Sequence, residues 1–261
     1  MLQTTGLTKR FGGLTAVDSV DFRLEADELC SLIGPNGAGK TTFFNLLTGV
    51  LSPTDGRIER KQDGEWIDIT EKDPHETALG GVHRSYQITN IFPMLTVLEN
   101  VRIAAQAHGG ADSWKLYRNA GGFEGYLEEA YEILERVELL EYADDLAQNL
   151  SHGQKRNLEI GIALAGDPDV LLLDEPTAGV SSDGIDQIID LIDNVATDHA
   201  VLLVEHNMDV VMGLSDRIAV LHQGEIIADD EPAAIRGSDE VQEAYLGGYD
   251  ANEDDHGVAT T

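Results

Sequence analysis

Residues Gly34 to Thr42, GPNGAGKTT, bring three glycines, a lysine and two adjacent hydroxyls together in an order suited to holding phosphate. Gly34, Gly37 and Gly39 permit positive φ, so backbone N–H groups around Asn36 turn inward without side-chain obstruction. Lys40 offers a point charge to β- and γ-phosphates, and the Thr41 hydroxyl, with Thr42 beside it, a ligand for Mg²⁺. The stretch leaves an apolar run, Leu29 to Ile33, and enters the helix-like FFNLLTG. A strand before and a helix after is the context that a phosphate loop requires, and the helix adds its positive N-terminal end. A glycine-rich turn that merely joins strand to helix is the bland alternative.

A second group is VLLLDE, Val170 to Glu175, an apolar strand ending in two carboxylates. In open α/β sheets nucleotides bind where strands end, so Asp174 is expected to hold Mg²⁺ through its water shell. Glu175 is expected to polarise an attacking water as general base. Many strands end in acids; the phosphate loop upstream gives this one its meaning. Between them, LSHGQ at Leu150 to Gln154 precedes the helical pattern KRNLEIGIALAG. Ser151 and the Gly153 backbone then stand at a helix start, which suits a γ-phosphate and equally a plain N-cap. The histidines His75, His83, His108 and His222 show no paired metal spacing, and a zinc site is not expected.

These groups need elements to carry them. The chain up to about Ile69 reads as strands and turns: VDSVDFRL alternates, a turn falls at Ala26 and Asp27, and GRIER and EWIDIT flank QDG as a hairpin. From roughly Thr89 to Ala147 the texture is helical, with apolar residues three and four apart. After a polar link, Gln148 to Gln154, the runs DVLLLDEP and HAVLLVEHN read as buried parallel strands around the helix GIDQIIDLIDNVA. DRIAVLHQGEIIADDEP reads as a further hairpin, and YDANEDDHGVATT as a polar, disordered end.

At 261 residues the chain has room for one large α/β domain with an inserted lobe. Its 48 acidic against 17 basic residues give a net charge of −31, which repels phosphate backbones, so nucleic acid is not an expected partner. The acids are spread along the chain, as on a surface adapted to a high-salt cytoplasm. A single cysteine, Cys30, inside an apolar strand excludes internal disulfides and makes thiol catalysis improbable. No apolar run has the length to cross a bilayer, and the start, MLQTTGLTKRF, lacks the apolar centre of a signal peptide.

LSHGQ resembles the signature sequence of ATP-binding cassette ATPases, usually read LSGGQ, and the order of phosphate loop, signature and LLLDEP matches that family across nearly the whole chain. The resemblance implies a P-loop α/β fold with a mixed or parallel core sheet, an N-terminal antiparallel β-subdomain and an inserted helical subdomain at about 89–165. It makes 1–248 one nucleotide-binding domain and 249–261 an acidic tail. It implies ATP and Mg²⁺, with Ser151, Gly153 and Gln154 facing the ATP of an opposite subunit. Gln87, in HRSYQITNIFP, falls where the family has a glutamine that reaches Mg²⁺ and the water, on a loop that abuts the transmembrane partner. His206 falls at the family's switch histidine near the γ-phosphate. Phe11, in KRFGG, resembles the aromatic that stacks on adenine, with a core phenylalanine as the alternative.

Segments such as KRFGGLTAVDSVDF and NLSHGQKRNLEIGIALAGDPDVLLLDEPTAGV are similar to the larger ATPase subunit of branched-chain amino acid importers. That implies a second ATPase subunit, the same or different, and transmembrane permease subunits that hold the chain at the cytoplasmic face of the membrane. A substrate-binding protein would act indirectly. Closure of two cassettes on two ATP would switch access in the membrane, and hydrolysis would reopen them. Two departures stand out: Ser181 replaces the aspartate usual in the family's D-loop, and His152 takes the third signature position. Segment 109–125 matches a variable insertion without an assigned role. Another cargo, such as urea, amides or an exported lipid, is an alternative, as is a soluble cassette ATPase outside transport.

Overall fold

The computed structural model describes residues 1–85, 91–108 and 120–246. Gln87, residues 109–119 of the variable segment and the tail 249–261 therefore lie outside the described residues.

Three five-residue strands form the centre of the molecule: β3 (Leu29–Ile33), β7 (Val170–Asp174) and β8 (Ala200–Val204) are buried throughout and apolar or small but for the terminal Asp174. Continuous apolar strands of this kind belong in a parallel sheet covered on both faces. They pair in parallel in the order β3, β8, β7, and β9 (Arg217–His222) and β6 (Val82–Arg84) extend the parallel set on either side. The edge strand β10 (Glu225–Asp230) runs antiparallel to β9, so the six-stranded sheet is mixed. A second sheet is antiparallel, ordered β2 (Leu14–Leu24), β1 (Leu2–Phe11), β4 (Asp55–Gln62), β5 (Glu65–Asp68). Asp63 and Gly64, at φ 51° and 86°, make the two-residue hairpin between β4 and β5. The fold is the α/β arrangement expected.

The two faces of β7 show how the sheet is held. Val170 and Leu172 point into a core shared with the antiparallel sheet and with α1 (Lys40–Leu47). Leu171 and Leu173 point into the opposite core, shared with α3 (Val97–His108), α5 (His152–Leu164) and α6 (Ser182–Ala196). Residues of α4 (Ala120–Arg136), including Leu134, complete that layer. This is the period of two that a strand imposes on its side chains. Helix α1 is wedged between the sheets by the fully buried Phe43 and Phe44, with Phe22 meeting Phe43 edge to face at 5.6 Å. Cys30 lies in the same core, where burial pushes its thiol up to about 12, so it is chemically inert.

Local differences from the sequence reading have local causes. Helix α5 begins at His152, three residues before KRNL, because Ser151 and Gln154 form a reciprocal capping box. Helix α3 begins only at Val97, where Thr96 and Glu99 exchange bonds in the same way. A short helix missed in the sequence, α2 (Pro74–Leu79), starts from Asp73, Pro74 and Glu76, another capping box with proline in its first turn. Strand β6 has three residues, too few to show any period. Beyond β8 the helices α7 (Met208–Leu214), α8 (Pro232–Arg236) and α9 (Asp239–Leu246) cover the remaining face of the sheet near β9.

Candidate functional site

The chain leaves β3 at Ile33 and turns through residues 34–39 into α1. Only glycine fits two of those positions. A Cβ on Gly34 would lie 2.0 Å from the Leu221 carbonyl oxygen, and one on Gly39, at φ 110°, would lie 2.3 Å from that of Ala16. Gly37, at φ 81°, instead meets nothing within 4 Å and borders open space. Gly39 is also the N-cap of α1 and no side chain caps that end, which leaves the first-turn amides facing the loop. Lys40 is buried, with Nζ donating to the carbonyls of Gly34 at 2.5 Å and Pro35 at 3.2 Å. Burial lowers its pKa, while the carboxylates of Glu175 and Asp174 pull it back up. The loop is thus a ring of donors closed for now on its own lysine.

A cleft of about 350 Å³ opens over this loop. Asn36, Gly37, Gly39, Lys40, Thr41 and Thr42 form one wall, and Phe11, Glu175 and His206 stand around it. Phe11 is 46% exposed at the end of β1, with Lys9 Nζ 5.2 Å from its ring centre, so it is no core residue. Glu175 has φ 49° and its N–H donates to Val204 O at 2.8 Å, continuing the pairing of β7 with β8 by one residue. Its Oε1 lies 2.8 Å from His206 Nε2. A carboxylate and an imidazole joined at the mouth of a phosphate loop are placed to take a proton from water.

Asp174 lies deeper. Its side chain is 10% exposed and Oδ2 accepts from Arg84 Nη2 at 2.5 Å. Asp174 and the Thr41 hydroxyl offer hard oxygens of the kind Mg²⁺ prefers, so the residues fit that ion. Among the described residues no group of three or more His, Cys, Asp or Glu could hold a metal alone, so a cation here would share phosphate oxygens. Ser151, Gly153 and Gln154 do not line the cleft. Ser151 Oγ accepts from Gln154 N at 3.2 Å, and Gln154 Oε1 from Ser151 N at 2.9 Å, both at the exposed start of α5.

Two buried charged side chains near the cleft, Glu205 and Arg84, escaped the sequence reading. Glu205 is 4% exposed, and its Oε1 accepts from the N–H of Thr177 at 2.8 Å and the Thr177 hydroxyl at 2.7 Å. Its Oε2 accepts from His206 N at 3.1 Å, tying the turn after Glu175 to the histidine. An acid at the end of an apolar strand was the available signal, the same one that picked out Asp174. Arg84, which follows His83 at the end of a three-residue strand, had no such signal.

Among the described residues no helix is long and apolar enough to cross a membrane. Residues 17–178 match the sequence profile of the family described as ABC transporter. The chain is 41% identical over 253 residues to the high-affinity branched-chain amino acid transport ATP-binding protein BraF of Pseudomonas aeruginosa, covering 95% of this chain and 98% of that one. Its fold superposes with a TM-score of 0.79 on the ADP conformation of MJ1267, an ATP-binding cassette of an ABC transporter, at 30% identity over 95% of this chain and 98% of that one. A dimeric post-hydrolysis state of the cassette MJ0796, bound to ADP and Pi, gives a TM-score of 0.70 at 28% identity over 89% and 99% of the two chains. The glycine loop, the acids ending β7 and the matches along nearly the whole length lead to one assignment: the chain belongs to the ABC transporter family, as an ATP-binding cassette ATPase.

Proposed function

We propose that this chain energises a membrane importer of branched-chain amino acids, binding and hydrolysing ATP at the cleft over residues 34–42. The observation that carries the cargo is the similarity to BraF, which spans 95% of the chain rather than the cassette motifs alone. The partners that follow are permease subunits, which hold the chain against the membrane, a second ATPase subunit, and indirectly a substrate-binding protein.

In this reading Phe11 stacks on adenine, and the amides of Gly37 and Gly39 with the α1 N-terminus receive the phosphates. Lys40 gives up its loop carbonyls for β- and γ-phosphate oxygens. Thr41 and Asp174, with Gln87 from outside the described residues, would hold Mg²⁺, which would neutralise charge developing on the phosphates. Glu175 accepts the proton of the attacking water, and His206 fixes the direction of that carboxylate. Because Ser151, Gly153 and Gln154 stay outside the cleft, they are free to close on the ATP of a facing cassette, as the dimeric state of MJ0796 suggests. The helical unit at about 89–165 carries that face and, together with Gln87, couples closure to the permeases.

The test is reconstitution in vesicles with candidate permease subunits and a candidate binding protein from the same source. Leucine, isoleucine or valine with the binding protein should raise ATP turnover several-fold and drive uptake. Stimulation only by urea, an amide or a lipid would replace the cargo. A fully soluble pool with no response to permeases would remove the transport role.

A further inference from the structure

Arg84 ends β6, the neighbour of β7, and its guanidinium is one of the most deeply buried charges near the cleft, with 7% of the side chain exposed. One arm, Nη2, donates to Asp174 Oδ2 at 2.5 Å; the other, Nη1, donates to Asn45 Oδ1 at 2.6 Å. The guanidinium carbon stands 5.4 Å from the centre of the Phe44 ring. Asn45 lies four residues after Thr41 on α1, so the two share one face of that helix. The fork of Arg84 therefore spans the gap between the helix that carries Thr41 and the strand that ends in Asp174.

We propose that Arg84 is the positioning residue of the magnesium site, bracing β7 against α1 so that the Asp174 carboxylate stands at a fixed place relative to the Thr41 hydroxyl. The inference rests on the reading in which those two residues hold the ion. Mg²⁺ demands near-ideal octahedral geometry at short distance, so ligands drawn from two separate elements must be held in register. A planar fork with two arms does this and a single ammonium does not. Arg84 takes Oδ2 and leaves Oδ1, which accepts no hydrogen bond among the described residues, for the ion's water shell. It also pays the cost of burying the carboxylate without a cation present.

The measurement is Mn²⁺ binding, followed by loss of the free-ion electron paramagnetic resonance signal, to protein saturated with a non-hydrolysable ATP analogue. Affinity for the analogue in EDTA is measured in parallel. Arg84→Met should keep the metal-free analogue affinity within about twofold and weaken Mn²⁺ by about tenfold, and Asn45→Ala, which removes one arm and keeps the ion pair, by about threefold. Arg84→Lys should fall between parent and Arg84→Met. If Arg84→Met does not fold, Asn45→Ala and Arg84→Lys decide. Unchanged Mn²⁺ affinity in folded variants would overturn the proposal. So would equal losses of Mn²⁺ and metal-free analogue binding, the mark of a merely structural ion pair. Failure of the parent protein to bind the analogue would instead bring down the nucleotide reading itself, so the two failures are told apart.

Discussion

The imidazole of His206 and the carboxylate of Glu175 meet at 2.8 Å across the ends of two neighbouring strands, β8 and β7, with Glu175 held at a positive φ. A non-glycine residue in that conformation is strained by about 1–3 kcal/mol, a cost that persists where the neighbouring structure imposes it. Here the bond from Glu175 N to Val204 O imposes it and turns the carboxylate toward the cleft. Glu175→Gln should keep ATP binding and lower turnover by about 100-fold or more, trapping a closed dimer detectable by size-exclusion chromatography with ATP. His206→Ala should lower turnover with little effect on ATP affinity. Turnover equal to the parent in Glu175→Gln would remove the general-base role.

Lys40 turns its ammonium onto its own loop, donating to Gly34 O and Pro35 O. That arrangement ties the loop to the lysine and places the charge where phosphate would arrive. Lys40→Ala should weaken ATP binding by about 10- to 100-fold, the equivalent of one or two charge-assisted bonds. Burial lowers the Lys40 pKa below its ordinary value, against the pull of Glu175 and Asp174. The charged form is the one that binds phosphate, so ATP affinity should fall as pH rises, starting below the pH at which an ordinary lysine deprotonates. Equilibrium binding of a fluorescent ATP analogue across alkaline pH checks both; unchanged affinity in Lys40→Ala would discredit the contact.

What the sequence revealed follows from how local each signal is. The loop at residues 34–42 was legible because each residue answers a local need: glycine where Leu221 O and Ala16 O crowd the backbone, lysine and threonine at the helix start. Strands β3, β7 and β8 were legible as unbroken apolar runs. Arg84 and Glu205 were not, because their roles arise from partners far along the chain, Asp174 and Asn45 for one, Thr177 for the other. Spacing in sequence carries no trace of such bonds. Helix α2 was legible in principle, since Asp73, Pro74 and Glu76 spell a helix start, but six residues give too little period to draw notice.

Phe11 tests the nucleotide-facing side of the cleft. It stands 46% exposed and contributes little to any core, so removing its ring should leave folding intact. Phe11→Ala should change the unfolding temperature of the free protein by under about 2 °C, as surface substitutions do. It should weaken ATP binding by about fivefold or more, while Phe11→Trp restores it, since stacking of a base on an aromatic ring is worth about 1–3 kcal/mol. Equal binding of ATP by Phe11→Ala and parent, in isothermal calorimetry, would place adenine elsewhere.

The charge of −31 sets a condition on the whole molecule. With 48 acids against 17 bases, most carboxylates have no basic partner within reach, and their mutual repulsion favours the expanded chain. Salt shortens the reach of that repulsion from about 10 Å at 0.1 M to about 3 Å at 1 M. Some of the ion pairs, such as Arg217 with Glu28 and Asp229, lie partly buried, so screening weakens them less than it relieves the exposed acids. Stability should therefore rise with KCl, by about 5 °C or more in unfolding temperature between 0.1 and about 2 M, a shift of order 2 kcal/mol for a chain of this size. Differential scanning fluorimetry in KCl, with sucrose as a neutral control, measures it. A flat or falling curve in KCl would show that repulsion among the acids does not limit the fold, and the reading of the surface as adapted to high salt would go with it.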